Sequence, residues 1–245
     1  MSTTETALKT SLLSREMVAE GTMSFRFTKP PSFSCRAGQS VDMTLLDTPE
    51  TDAEGNVRPF TLSSAPREDV ITITTRLLDT AFKRVLQAVP LGTEVKIEGP
   101  FGDFRLHNAA RPAMLLAGGI GITQFRSILV EAIGGGCSLP HRVVMFHANR
   151  RPEEAAFTDQ MRTLERADSN LTYVPTVTAQ DVLGQAWSGE RGRIDQEMLR
   201  RHLEGVINPI CYIAGPIEMV KALRAMLTAS GVDEDDIRTD ELTGY

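Results

Sequence analysis

The sequence predicts two unlike domains in tandem: a six-stranded antiparallel β-barrel of Greek-key order over residues 1–108, then a doubly wound α/β domain with a five-stranded parallel sheet over residues 109–245. Three observations carry this. Short alternating apolar and polar runs dominate from Val41 to Leu106, strand-like and helix-like segments alternate after Asn108, and a glycine-rich turn, LLAGGIGIT, joins the first strand of the second half to its first helix.

In chain order the alternating runs are VDMTLL, RPFTLSS, VITITTRLL, TEVKIEG and FRL, rich in Thr, Val and Ile and separated by Pro, Gly and Asp. A polar loop, DTPETDAEGN, precedes the second run. One helix interrupts the series in DTAFKRVLQAVP, where Phe82, Val85, Leu86 and Val89 share a face and Asp79 or Thr80 can cap the start; a lone helix in a barrel suggests a lid. The second half reads AMLLA then ITQFRSILVEAI, RVVMFHA then PEEAAFTDQMRTLERA, LTYVPTV then IDQEMLRRHLEGV, ICYIA then IEMVKALRAMLTAS, and finally the strand IRTDEL. Apolar strands joined by amphipathic helices place helices on both faces of a parallel sheet. The triplet Gly134–Gly135–Gly136 closes a helix.

Composition excludes several classes. Hydrophobic residues make up 41% and charged residues 24%, which suits a globular enzyme rather than a disordered or collagen-like chain. The net charge of −6 carries no basic block, so nucleic acid is not an expected partner. The N-terminus lacks the charge and apolar core of a secretory signal, and no run of about 18 apolar residues occurs, so no membrane insertion and a cytoplasmic location are expected. Cys35, Cys137 and Cys211 are scattered, as are His107, His141, His147 and His202, so no metal site, iron–sulfur cluster or nucleophilic triad is expected.

Two motifs point to chemistry. In LLAGGIGIT, Gly118, Gly119 and Gly121 follow an apolar strand and open a helix, where a pyrophosphate can meet backbone N–H groups and the helix dipole. The dinucleotide fingerprint is incomplete because Gln124 replaces its third glycine, and glycines serving tight packing alone would give the same letters. In RPFTLSSAP, an arginine can grip a flavin pyrophosphate, an aromatic ring can lie on the isoalloxazine and a hydroxyl can reach its N5 edge; an ordinary strand with a surface Arg and a core Phe is the alternative.

Taken together, RPFTLSS, DTAFKRVL, EGPFGDF and LLAGGIGIT, in this order over nearly the whole chain, resemble the ferredoxin–NADP reductase-like family, including cytochrome b5 reductases and small bacterial flavin-dependent reductases. The resemblance implies a barrel that binds FAD and an α/β domain that binds NADH or NADPH. It implies that Arg58, Pro59, Phe60, Thr61, Ser64, Thr74 and Arg76 hold the flavin and that Thr80, Ala81 and Phe82 meet its phosphates. Gly118, Gly119, Gly121, Ile122, Thr123, Asn149, Arg150, Gly215 and Pro216 would hold the nicotinamide coenzyme. Thr61, steadying N5, and Tyr245, stacking on the flavin from the C-terminal DELTGY, are the catalytic candidates. YIAGPIEM departs from the family by placing Ala214 where a Cys usually stands, and Gln124 stands where Pro is usual. Arg150 and Arg151 could hold a 2′-phosphate, whereas Glu154 sits where NADH-preferring relatives carry an acid, and the sequence leans to NADH. The implied reaction passes hydride from NAD(P)H to FAD and electrons to a separate acceptor: a ferredoxin, flavodoxin, oxygenase component, haem protein or ferric chelate. Release of reduced flavin, or service as a non-catalytic subunit, are the competing roles.

Overall fold

The computed structural model describes residues 7–179 and 187–242. The first sheet comprises β1 (Leu8–Ala19), β2 (Thr22–Thr28), β3 (Ser40–Leu45), β4 (Val57–Thr61), β5 (Val70–Arg76) and β6 (Glu94–Phe101). They are antiparallel in the order β4-β3-β6-β1-β2-β5. A bridge between Leu62 and Ile73 joins the two outer strands and closes the sheet into a barrel, which removes its exposed edges. Alternation aims one residue in two inward: Val41, Met43 and Leu45 of β3 and Phe25 and Phe27 of β2 are buried in one core. α1 (Ala81–Ala88) seats Phe82, Val85 and Leu86 in that core, and Thr80 caps it by accepting a hydrogen bond from the Lys83 N–H.

The expected strand FRL is extended coil instead. Phe104 packs its ring against Phe125 and Tyr212, with centroids 5.7 and 5.6 Å away, so its apolar character serves the core of the following domain rather than a sheet.

The second sheet is parallel, in the order β10-β9-β8-β7-β11-β12: β7 (Ala113–Gly118), β8 (Val143–Asn149), β9 (Leu171–Val177), β10 (Glu190–Arg191), β11 (Ile210–Pro216) and β12 (Ile237–Leu242). Six strands replace the expected five, because the two-residue β10 at the edge is too short and polar to leave a pattern. All six residues of β7 are buried, as coverage of both faces requires. α2 (Ile122–Ile133) and α3 (Thr158–Ala167) cover one face through Phe125, Leu129 and Met161; α4 (Gln196–His202) and α5 (Ile217–Ala229) cover the other through Met198, Val220 and Leu223. PEEAAFTDQMRTLERA, expected as one helix, is split: a 3₁₀ turn at Pro152–Glu154 is followed by Phe157 at φ 62°, and only then does α3 begin.

A buried cation joins the halves. Arg126 of α2 donates to both carboxylate oxygens of Glu68 at 2.8 and 3.0 Å, to the Ser63 carbonyl and to Gln160 at 2.8 Å, with its guanidinium 5.3 Å from the Phe157 ring centre. Ser127 adds a bond to the Ser64 carbonyl at 2.7 Å. Burial raises the Glu68 pKa, but the hydrogen bonds from Arg126 and the Ala65 N–H outweigh it and hold the carboxyl below its usual range. Removing one member of a largely buried pair leaves the other charge uncompensated, so Arg126→Ala should cost about 3 kcal/mol in urea unfolding followed by circular dichroism. A loss under about 0.5 kcal/mol would show that the pair is merely a surface contact.

Candidate functional site

From β7 the chain runs outward to β8, β9 and β10 on one side, whereas β11 lies on the other, so the switch in strand order falls between β7 and β11. Such a crevice at the carboxyl ends of parallel strands is where open α/β sheets take ligands. A cavity of about 440 Å³ opens there, walled by Gly118 and Gly119, by Ala148, Asn149 and Arg150 at the end of β8, and by Pro216 and Met219 at the start of α5.

Packing dictates two of the glycines. A Cβ on Gly121 would lie 2.2 Å from the Ala214 carbonyl oxygen, and one on Gly118 would lie 2.3 Å from the Met219 sulfur. The turn after β7 and the turn after β11 therefore touch backbone to backbone. His147 of β8 fixes the turn from beneath: its Nε2 lies 3.1 Å from the Gly119 carbonyl and its Nδ1 3.0 Å from the Tyr173 hydroxyl. The imidazole is fully buried, and burial lowers its pKa to about 4, so it is neutral near pH 7. A neutral ring has one N–H; facing a carbonyl, Nε2 carries it, and Nδ1 accepts from Tyr173.

A second cavity, of about 220 Å³, lies between the barrel and the same turn. Arg58, Pro59, Phe60 and Thr61 of β4, Thr74 and Arg76 of β5, Thr80 and Lys83 line it from the barrel; Ile120, Thr123 and Leu242 line it from the α/β half. Arg58 is held by Asp52 at 2.6 Å and Glu54 at 3.0 Å and lies 5.4 Å from the Phe82 ring centre. That hydrogen bond from Arg58 also keeps the Asp52 pKa low. The Lys83 pKa is lowered by burial first and then by the neighbouring positive charges of Arg58 and Arg76. Three cations converging beside the capped start of α1 favour an anionic ligand. Phe60 is buried against Phe82 with centroids 5.7 Å apart, and the Thr74 hydroxyl is shared with Ser24 and Ser63 at 2.7 and 2.9 Å.

Arg76 and the Gly118–Thr123 segment border both cavities. Of the residues singled out in the sequence and described in the structure, Ser64, Ala81, Phe82, Gly121, Ile122, Gln124, Arg151, Ala214 and Gly215 line neither. The Ser64 hydroxyl accepts from the Thr72 N–H at 2.9 Å, inside the barrel wall. Tyr245 lies outside the described residues. Lys83, Ile120, Arg193 and Leu242 escaped the sequence reading, although Lys83 stood within the quoted DTAFKRVL, one helical turn after the cap.

Both cavities suit phosphate-bearing groups. Asn149, buried and lining the larger one, has a side-chain N–H₂ with no partner, a donor suited to a ligand oxygen. Gln124 is also buried; its amide donates to Asp240 of β12, and its oxygen has no partner. Burial raises the Asp240 pKa, and Glu241 adds to the rise. Ala214, paired with Asp240 across β11 and β12, brings no side-chain donor of its own.

Residues 115–225 match the oxidoreductase NAD-binding domain family. The chain is similar to the glycine betaine monooxygenase reductase subunit of Chromohalobacter salexigens, at 26% identity over 86% of this chain and 57% of that one. Similarity to ferredoxin–NADP reductase B of Sorangium cellulosum is 28%, over 83% of each chain. The structure superposes on a Neisseria gonorrhoeae ferredoxin NADP⁺ reductase with bound FAD and NADP at a TM-score of 0.75, with 20% identity, over 96% of this chain and 98% of that one. The chain thus spans just over half the length of the first relative and most of the length of the other two.

Stability should depend on pH through His147. Its pKa is depressed on folding, so the unfolded chain takes up the proton first, and stability is lost as pH falls from about 6.5 towards 4. The loss from this residue amounts to about 3 kcal/mol at full protonation. His147→Gln keeps a donor where Nε2 stood and should flatten the acid side of the stability curve in denaturant titrations at stepped pH; an unchanged slope would reject the assignment.

Proposed function

Because the chain is a ferredoxin–NADP reductase-like protein with an oxidoreductase NAD-binding domain, we propose that it is an FAD-dependent NAD(P)H reductase that hands electrons to a separate acceptor. The observation that carries this is the meeting of the two cavities at one turn: Gly118 and Gly119 wall the larger, Ile120 and Thr123 wall the smaller, and Arg76 borders both. A coenzyme in one and a flavin in the other would face each other across that turn. FAD supplies the acceptance of a hydride and its onward release as electrons.

The chain's own residues bind and orient. Arg58, Lys83 and Thr80 at the start of α1 would hold the flavin diphosphate, with Arg58 exchanging its contacts to Asp52 and Glu54 for phosphate oxygens. Phe60 and Pro59 would give an apolar wall for the ring system, and the Thr61 hydroxyl would serve as a hydrogen-bond donor to it. The turn Gly118–Gly121 and the N-terminus of α2 receive the coenzyme diphosphate, with Asn149 as a further donor. Pro216 shapes the opposite wall, Gly215 packs behind it against the Gly118 backbone, and Ala214 brings no thiol to that side.

The barrel domain ends at 108 and the α/β domain begins at 109 in this reading. Similarity to a monooxygenase reductase subunit and to a ferredoxin–NADP reductase supports an oxygenase component or a ferredoxin as acceptor. The cytoplasm, where reduced nicotinamide coenzymes are regenerated, is the proposed location. Among the described residues no helix is long and apolar enough to cross a membrane.

The purified protein should be yellow, release FAD on acid extraction and reduce ferricyanide with NADH or NADPH. Arg58→Ala should weaken FAD retention by about ten- to hundredfold in equilibrium dialysis, the scale of one lost charge-assisted contact. A colourless protein that takes up no added FAD would refute the proposal, and a protein losing all flavin on native dialysis would instead favour the release of reduced flavin as product.

A further inference from the structure

The polar loop DTPETDAEGN, residues 47–56, connects β3 to β4 and reaches the smaller cavity, where Glu54 forms part of the lining. Its base is closed by the hairpin register. The Leu45 N–H donates to the Asn56 carbonyl at 3.0 Å, and the Asn56 side chain donates to the Leu45 carbonyl at 2.8 Å. None of the ten loop residues is buried. Two ionic clasps hold the outer part down: Asp52 and Glu54 pair with Arg58 of β4 at 2.6 and 3.0 Å, and Glu50 accepts from Arg84 of α1 with both carboxylate oxygens, at 2.9 and 3.0 Å.

These contacts use every nitrogen of Arg58. Nη2 donates to Asp52, Nε pairs with Glu54, and Nη1 donates to the carbonyls of Glu54, Gly55 and Val57 at 3.1, 3.0 and 2.8 Å. A guanidinium offers its N–H groups in a fixed planar fork, so it cannot serve these carboxylates and a diphosphate together. Asp52 collects the donors that a phosphate would collect. Its Oδ1 also accepts from the Glu54 N–H at 3.0 Å; the hydrogen bond from Arg58, ahead of those from the Glu54 N–H and from the Ala81 N–H that opens α1, keeps its pKa low. Swinging the loop away would break ion pairs and hydrogen bonds but uncover no apolar core, and partly exposed ion pairs are weak enough to open readily.

We propose that the 47–56 loop is a self-inhibitory strap: Asp52 and Glu54 compete with the flavin diphosphate for Arg58, and the loop must swing off before FAD can seat, an inference that rests on the flavin site proposed above. The apparent affinity for a ligand falls with the fraction of molecules in the open state, so a strap closed about nine-tenths of the time weakens FAD binding about tenfold by slowing entry.

Stopped-flow mixing of the flavin-stripped chain with FAD, followed by flavin fluorescence, reads entry without turnover. Asp52→Asn/Glu54→Gln, isosteric changes outside the core, should speed association about tenfold and leave the rate of FAD release within about twofold. Asp47→Asn removes a charge at the foot of the same loop and should leave both rates within about twofold. Unchanged or slower association in the double variant, with FAD still bound, would overturn the strap while leaving the flavin site standing. Equal acceleration by Asp47→Asn would assign the effect to loop charge in general and also overturn it. Binding by the double variant and not by the unaltered chain would support the strap, and binding by neither would remove the flavin site and the strap with it.

Discussion

A guanidinium buried between two domains needs a partner for every donor, and Arg126 obtains its partners from both sides of the domain junction. Glu68 and Ser63 belong to the segment that leaves β4; Gln160 and Phe157 belong to α3 and its entry. α2, which carries Arg126, also begins at the glycine turn. The spacing between the β4 segment and that turn is therefore set by one planar ion with few alternative geometries. Both cavities take their common wall from this arrangement.

The same economy appears where the two turns of the α/β half meet. Gly121 lies against the Ala214 carbonyl, and His147 holds the Gly119 carbonyl from below. These contacts pack the turn in place. In the proposed coenzyme site its N–H groups would need little reorganisation to receive a diphosphate, which would limit the entropy lost on binding. Gln124 completes the frame by tying the start of α2 to Asp240 of β12, so the helix is anchored to its sheet on the side away from β8.

The order of elements was legible because burial follows period. AMLLA, apolar throughout, and RVVMFHA, apolar but for Arg142 and His147, read as strands covered on both faces, and the alternation in VDMTLL as one lining a single core. β1 was harder: its register against β2 shifts between Leu12 and Ser14 and again between Met17 and Ala19, which breaks the two-residue rhythm. Phe104 misled for the opposite reason, since an apolar residue in coil can serve a core it does not extend. For the sites, RPFTLSS and LLAGGIGIT located the cavities, while Arg193 and Leu242 reach them only through tertiary folding from distant strands. Nor does sequence reveal that Glu154 is spoken for, because its partner lies 78 residues away.

Arg76 closes the account of how the halves interact. It borders both cavities, bonds to Glu154 of the second domain, and donates to Thr22 within the first. A ligand in either cavity that draws on its charge alters the pair that the other cavity sees. Occupancy on the two sides is then thermodynamically coupled, and the coupling must be reciprocal: whatever factor the flavin imposes on coenzyme affinity, the coenzyme imposes on the flavin. If flavin and coenzyme both draw on this arginine, each loosens the other, and the protein holds its flavin more firmly before the coenzyme arrives than after.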